Sequence, residues 1–365
     1  MSKYIYEYEN WPNFTWREID INNVFGEVRN LQGRIIGQMN MLGFKIQEEA
    51  SLTTLTLDII KSSEIEGEKL NYDQVRSSIA KKLGINIGGF VSTNRHVDGI
   101  VEMMLDATQN FENLLTNERL FAWHAALFPT GYSGLHKIEV GCYRTGEMQI
   151  VFGAMGKEKI HYLAPPANKV KEEMDKFLVW FNNNNHIDPV LKASIAQFWF
   201  IIIHPFDDGN GRIARAISDL MLARADKTAE RYYSMSNQIL LERKQYYQVL
   251  QQVQYSDGDI TDWLKWFLHC LKHSLLATET TMQNILQKAA FWKHNEQTPL
   301  NQRQRLLLNK VLDGFDGKLT SSKWAKIAKC SPDTALRDIK DLIDKGILRQ
   351  EEKGGRSTNY ELANS

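Results

Sequence analysis

The sequence predicts a mostly α-helical protein with a small helix-turn-helix unit at its carboxyl end. Through most of the chain, apolar residues recur at three- and four-residue spacing, which is the period of a helix with one buried face. Two stretches instead show the short β-type segments and turn residues of paired strands. The length of 365 residues and the 43% hydrophobic content are those of a globular protein with two or three compact units.

Nine helices are predicted in the first 254 residues. The first covers 19–42, with a stripe that includes Ile21, Val28 and Ile35. The second covers 48–65 and ends before Gly67, because glycine commonly terminates a helix. The others cover 72–83, 97–111, 118–128, 170–181, 189–203, 213–225 and 242–254.

One β-hairpin is predicted within residues 147–165. The segments MQIVFG and KIHYLAP flank a loop at 154–158 that contains Gly156. This hairpin interrupts an otherwise helical pattern, so the chain has an isolated pair of strands rather than a central sheet.

A second unit follows a linker at 294–300, where polar residues and Pro299 break the pattern. Helices at 303–315, 321–329 and 333–345 precede a strand pair around 353–356, which is the outline of a winged helix-turn-helix. Residues 301–365 contain thirteen Lys or Arg and nine Asp or Glu. Basic and acidic residues alternate along the last helix, which weakens it as a surface for tracking phosphates.

Composition excludes several classes of protein. Forty-four basic and forty-four acidic residues leave no net charge to draw the whole chain onto nucleic acid or lipid. No segment is long and apolar enough to cross a bilayer, and the first residues have no signal-peptide core, so we expect a cytoplasmic protein without membrane contact. Three widely spaced cysteines, Cys142, Cys270 and Cys330, suit neither a disulfide framework nor a structural zinc site.

Residues 204–215, HPFDDGNGRIAR, combine the groups of an anion site. Gly209 and Gly211 let backbone N–H groups approach a ligand, and Asn210 tolerates a left-handed conformation. The helix that follows adds the positive end of its dipole, which favours phosphate. Arg212 and Arg215 lie three residues apart on one helix face and can hold phosphate oxygens.

Two other side chains of this segment predict catalysis. Asp208 beside an anion site is suited to holding Mg²⁺ that bridges phosphates. His204, if neutral, can accept a proton from an attacking hydroxyl. A zinc site at these two residues lacks a suitably spaced second histidine, and the chain has no P-loop signature.

The segment matches the signature H-x-F-x-[DE]-G-N-G-R-x-x-R at all eight specified positions, so the chain resembles Fic domain proteins. Most of these mostly helical enzymes transfer AMP from ATP to a Ser, Thr or Tyr hydroxyl of a target protein, with Mg²⁺. The resemblance implies His204 as general base, Phe206 as a buried anchor and Asp208 as the metal ligand. It also implies an ATP site made of Gly209, Asn210, Gly211, Arg212, Ile213, Ala214 and Arg215, with Arg215 reaching the γ-phosphate.

The resemblance also assigns the hairpin as a flap. In the family the flap pairs with the backbone of the target protein, so residues 147–165 are the expected docking site. The chain itself is a further candidate partner, through automodification or as a homodimer. Tyr246 and Tyr247 are candidates either for an adenine contact or for core packing.

A third element of the resemblance is SSEIEG at 62–67, which fits the inhibitory pattern [ST]-x-x-x-E-[GN]. It implies an N-terminal inhibitory helix in which Ser62, Glu66 and Gly67 are the specified residues. Glu66 would pair with Arg215 and occupy the volume of the γ-phosphate. The structural alternative is an ordinary helix end with an exposed glutamate and a glycine stop.

Together these observations predict an N-terminal helical region with the inhibitory motif at 1–95, a Fic catalytic core at 96–293 and a winged-helix-like domain at 297–365. The expected function is an autoinhibited protein adenylyltransferase. One alternative is a DNA-binding regulator whose core senses nucleotide. Another is an enzyme that removes AMP at the same site, with Glu66 positioning water.

Overall fold

The structure, a computed structural model, describes residues 3–87, 90–152, 159–183, 186–312, 317–351 and 358–363. Most of these residues are helical, and the strands are few and short, so the predicted mostly α fold is confirmed. The chain divides into two compact units, Met1–Thr278 and Glu279–Ser365. Within the described ranges, no helix is both long enough and apolar enough to cross a lipid bilayer.

The first unit begins with a short aromatic segment and three helices. The helices are α1 (Glu18–Asn40), α2 (Phe44–Ile65) and α3 (Tyr72–Leu83). α1 buries the predicted stripe, since Ile21, Val28 and Ile35 are at most 1% exposed. α2 packs against α3 and against helices nearer the carboxyl end of the unit, and this packing brings its last turn to the functional site.

Eight further helices follow, and only the last of them passes the end of the first unit at Thr278. They are α4 (Arg95–Gln109), α5 (Asn117–Leu127), α6 (Val170–Asn182), α7 (Pro189–Ile203), α8 (Asn210–Asp226), α9 (Met235–Leu241), α10 (Arg243–Val253) and α11 (Thr261–His294). α7 is buried along most of its length and packs along α8, so the connection between these two helices is held by the core. α9 and α11 are not among the predicted helices.

Four short strands lie between α5 and α6: β1 (Tyr132–Ser133), β2 (His136–Lys137), β3 (Gln149–Phe152) and β4 (Lys159–Leu163). β3 and β4 form the antiparallel pair of the predicted hairpin, with Ile150 opposite Tyr162. The register shifts after Ile150, as at a β-bulge. The predicted loop at 154–158 lies outside the described residues, and the β1–β2 pair is not predicted from the sequence.

The second unit contains α12 (Gln302–Leu312), α13 (Ser321–Ala328), α14 (Pro332–Asp344), β5 (Leu348–Gln350) and β6 (Tyr360–Leu362). Side chains of Thr320 and Ser331 cap α13 and α14 by accepting backbone N–H groups, and Pro332 occupies the first turn of α14. The unit has its own apolar core, which includes Trp324 and Ile339. The predicted turn at 353–356 lies outside the described residues, and the winged-helix assignment remains a prediction.

Candidate active site

The connection between α7 and α8 is a tight loop of six residues. His204 ends α7 in a left-handed conformation, with φ 51° and ψ 58°. Gly209 precedes α8 with φ 78°, and a Cβ atom there would lie 2.9 Å from the ring of Phe128. Glycine is therefore required at this position for both its backbone angle and its lack of a side chain.

Phe206 and Asn210 fix the loop. The Asn210 side chain accepts the backbone N–H of Phe206 at 2.9 Å and donates to its carbonyl at 2.7 Å. Phe206 is fully buried, and its ring stacks on that of His124 with centroids 4.3 Å apart. The sequence predicts Asn210 as a ligand donor, whereas the described hydrogen bonds of its amide lie within the loop.

His204 is presented as a neutral base. Its Nδ1 lies 3.1 Å from the carbonyl oxygen of Ile201, which can only accept, so Nδ1 carries the proton and Nε2 has a free lone pair. Burial lowers the pKa of His204 to about 4. The imidazole is therefore neutral near pH 7.

Arg144 ties this loop to the two ends of the hairpin. Its guanidinium donates to the carbonyls of His204, Gly146 and Pro165, at 2.8, 2.8 and 2.6 Å. Its backbone N–H donates to the carbonyl of Pro205. The sequence does not indicate this role, because nothing local to Arg144 reveals that its partners are backbone carbonyls of other segments.

The amino end of α8 has the electrostatic features of an anion site. The N–H groups of its first residues have no helical partner and add to the positive end of the helix dipole. The N–H of Ile213 already donates to the carbonyl of Gly209. Ile213 and Ala214 are fully buried, so their side chains belong to the core rather than to the ligand surface.

Glu66 occupies this amino end. A Cβ atom on Gly211 would lie 2.3 Å from Glu66 Oε1, so the carboxylate rests directly against the glycine. The same oxygen forms a 2.8 Å ion pair with Arg215, whose side chain is only 2% exposed. Although burial alone would lower it, the Glu66 carboxylate raises the pKa of Arg215.

The other two residues of the predicted inhibitory motif support this arrangement. Ser62 accepts from Arg215 through both its hydroxyl and its carbonyl, each at 2.9 Å. Gly67 turns the chain after α2 with φ 86°. The structure thus brings Ser62, Glu66 and Arg215 together, although they lie some 150 residues apart in sequence.

Arg212 is engaged by a residue that sequence reasoning did not identify. Its Nη1 lies 3.0 Å from Oε2 of Glu68, and its guanidinium lies over the ring of Phe128 at 5.1 Å. Glu68 also contacts Nε2 of His96. No pattern in the sequence indicates the Arg212–Glu68 pair, because Glu68 lies one residue beyond the inhibitory pattern at 62–67.

Asp208 is oriented by two donors. The Ser133 hydroxyl donates to one carboxylate oxygen, and the N–H of Gly209 donates to the other at 2.5 Å. No group of three or more metal-ligating side chains occurs in the described part of the chain. One half-buried carboxylate nonetheless fits Mg²⁺, which commonly takes one or two protein carboxylates together with substrate phosphates and water.

A cavity of about 590 Å³ opens beside these groups. This is the size of a small-molecule site. Tyr246 and Tyr247 both contribute to its wall, and Tyr246 is also buried against Trp263 and Trp266. Tyr162 of the predicted flap also lines the cavity. Wall residues that the sequence did not indicate are Ile201, Ile202, Lys244, Gln248, Leu250, Gln251 and Gln254.

Comparison with protein families identifies two matching regions of the chain. Residues 114–222 match the Fic/DOC family. The chain contains a Fic domain. Residues 4–85 match a domain of unknown function, DUF4172, so the end of α2 that contacts the Fic loop belongs to a different matched region.

Named relatives and solved structures agree with the Fic assignment. The chain is 23% identical over 225 residues to a protein adenylyltransferase Fic of Nematostella vectensis and 25% identical over 225 residues to one of Culex quinquefasciatus. Each match covers 60% of this chain but only 47% and 40% of those relatives, so the chain spans less than half of their length.

Two solved structures resemble the fold. One is a Fic family protein from Desulfovibrio desulfuricans, with a TM-score of 0.55 at 22% identity, covering 95% of this chain and 96% of that one. The other is Fic-1 (residues 134–508) of Caenorhabditis elegans, with a TM-score of 0.51 at 22% identity, covering 73% of each chain. At this identity the likeness concerns the fold.

Proposed function

We propose that this Fic protein transfers AMP from ATP to a hydroxyl side chain of a target protein, and that Glu66 holds the activity off. The observation that carries the proposal is the position of the Glu66 carboxylate, against Gly211 and paired with Arg215. A carboxylate at a helix amino end, paired with a buried arginine, occupies a site whose chemistry suits phosphate. The named relatives support this reaction type.

In the proposed reaction, the target hydroxyl oxygen forms a bond to the α-phosphorus as the bond to the bridging oxygen of pyrophosphate breaks. Nε2 of neutral His204 accepts the hydroxyl proton. The amino end of α8 and the guanidinium groups of Arg212 and Arg215 hold the phosphates. Asp208 would hold Mg²⁺, which supplies positive charge to the phosphate oxygens when bound.

The flap is the proposed docking site for the target. In the described residues β3 and β4 pair only with each other, so each has an outer edge to which an extended segment could add as a strand. Ile150 and Tyr162 line the cavity from this hairpin. An added strand would therefore bring its hydroxyl close to His204, and the same geometry would serve a segment of a second copy of this chain.

The inhibitory part of the proposal is tested by incubating the Glu66→Gly protein with ATP, Mg²⁺ and a cell lysate. Peptides that gain the mass of AMP should appear, and automodification should rise relative to the parent chain. The matched control is Glu64→Gly, because Glu64 pairs with Lys61 on the same helix turn and touches neither arginine. Equal labelling by the parent and Glu66→Gly would contradict autoinhibition, and loss of AMP from a modified target would assign removal instead.

A second candidate function, DNA binding by the second unit, is favoured by the state of the acidic residues on α14. Asp338 forms an ion pair with Arg303 at 2.7 Å, and Asp341 forms an ion pair with Lys345. These carboxylates are thereby neutralised, whereas Arg337 and Lys340 are exposed on the same helix.

The DNA proposal is tested by titrating the whole chain with double-stranded DNA. Arg337→Ala and Lys340→Ala should each weaken binding and reduce its salt dependence. Lys310→Ala, which removes an exposed lysine of α12, is the control. Binding that is absent, or that responds equally to all three variants, would contradict the proposal.

A further inference from the structure

The proposed inhibition by Glu66 involves Arg215 and does not explain the contacts of Arg212. Arg212 is 8% exposed, and Nη1 forms its ion pair with Glu68. Its Nε is buried without a hydrogen-bond partner among the described residues. An arginine in this state retains an unused donor, and the anion that engages it comes from the chain itself.

Glu68 is held in place from two other directions. Its backbone N–H donates to the carbonyl of Ser63, which fixes it to the last turn of α2. Its second carboxylate oxygen contacts Nε2 of His96 at the start of α4. Although burial opposes them, the hydrogen bond from His96 and the charge of Arg212 lower the pKa of Glu68, so it is a carboxylate near neutral pH.

Glu66 and Glu68 form a matched pair around Gly67. The positive φ of Gly67 reverses the chain, so both carboxylates reach α8, where Glu66 pairs with Arg215 and Glu68 with Arg212. Both carboxylate side chains are about one-third exposed, at 34% and 30%. Glu66 lines the cavity, and Glu68 engages the other arginine of the same helix end. A polyphosphate that needs both arginines would therefore compete with two protein carboxylates.

We propose that Glu68 is a second inhibitory carboxylate, which withdraws Arg212 from the nucleotide phosphates while His96 holds it there. This inference rests on the proposed function, since it concerns regulation of the same site. It predicts that removing Glu66 frees only one arginine. The opposite role, in which Glu68 orients Arg212 toward phosphate, predicts a change of opposite sign in ATP affinity.

The test is isothermal calorimetry on the full chain with Mg²⁺ and either ATP or adenosine. In the Glu66→Gly background, Glu68→Gln should tighten ATP binding by about fivefold or more, which is the lower end of typical coupling between sites. Adenosine affinity should not change, because adenosine has no phosphate. His96→Gln, which leaves the carboxylate but removes one of its contacts, should tighten ATP by a smaller factor.

Glu64→Gln is the matched control, as it removes an acidic charge from the same turn without touching an arginine. ATP affinity that stays the same or weakens in Glu68→Gln overturns the inference, provided that thermal unfolding shows a folded protein in each case. His96→Gln gives an independent measurement should Glu68→Gln unfold. Tighter ATP binding without any AMP transfer would support Glu68 as an inhibitory carboxylate and reject the proposed function. No ATP binding by any variant would reject both.

Discussion

Two short connections meet at the amino end of α8, and they are held in different ways. The loop between α7 and α8 is fixed by buried contacts, namely the Phe206 ring, the Asn210 amide and the Arg144 guanidinium. The turn after α2 reaches the same place through the carboxylates of Glu66 and Glu68, which are about one-third exposed. The loop therefore belongs to the core, whereas the turn contacts it mainly through charge.

This difference separates what builds the site from what regulates it. Removing a carboxylate leaves the loop with its own hydrogen bonds and packing intact. Removing a loop residue disturbs groups that are buried, and buried groups are costly to leave without partners. Changes in the loop should therefore affect chemistry or folding, while changes in the turn should affect ligand affinity.

The largest expected effect is on catalysis, and it tests the role assigned to the loop. His204→Ala, made in the Glu66→Gly background, should reduce AMP transfer by about a hundred- to ten-thousand-fold, because it removes the proposed general base. Labelling from α-phosphate-labelled ATP measures the rate, and calorimetry should show that ATP still binds. Unchanged labelling would remove His204 from the mechanism.

The next effect concerns the buried anchor of the loop. Phe206→Ala should lower the free energy of unfolding by about 3–5 kcal/mol, since a fully buried ring leaves a cavity when truncated. Phe44→Ala is the matched control, because Phe44 is 86% exposed and should change the free energy by about 0.5 kcal/mol or less. Urea unfolding compares the two, and equal losses would contradict the buried anchor.

A smaller effect is expected for the amide that fastens the loop. Asn210→Ala should lower the free energy of unfolding by about 1–3 kcal/mol, because the N–H and carbonyl of Phe206 lose their partner while remaining buried. Asn40→Ala, at an exposed helix end, serves as the control in the same urea experiment. No loss for Asn210→Ala would show that the Asn210 amide does not stabilise the loop.

The smallest expected effect is a flat pH profile. Burial lowers the pKa of His204 to about 4, so the neutral base is present above that pH and is lost only as pH falls through it. Between about pH 8 and pH 5, kcat/KM of Glu66→Gly should therefore stay nearly constant. A decline centred near the ordinary histidine pKa of about 6.5 would show that the imidazole is solvated during turnover.

The sequence was most informative where local signals agree. α7 was predicted at its observed bounds, because an aspartate cap and Pro189 at its start enclose a long apolar run before His204. α3 was also predicted at its observed bounds, where Gly84 provides a left-handed end. The Fic signature singled out the loop for a similar reason, since its specified residues all lie within one twelve-residue segment.

The sequence was least informative where partners are far apart. Arg144 donates to three carbonyls on different segments. Every residue has a backbone carbonyl, so residue type does not show which carbonyls accept. Glu68 pairs with Arg212 across 144 positions, and its two-residue offset from Glu66 matters only because Gly67 turns the chain. α9 has only seven residues, too few for a clear helical period. The start of α11 buries Trp263, Leu264, Trp266 and Phe267, so no single apolar face marks it as a helix.

Residue order by itself determined the mostly α fold, the position of the hairpin and the set of polar and glycine residues at 204–215, because each depends on groups close together in the chain. Tertiary structure decided that His204 is buried enough to be neutral, that Asn210 serves the loop, and that α2 ends against α8. These outcomes depend on burial and on distances between segments, and both are set by the packing of helices whose surfaces meet only in the folded chain.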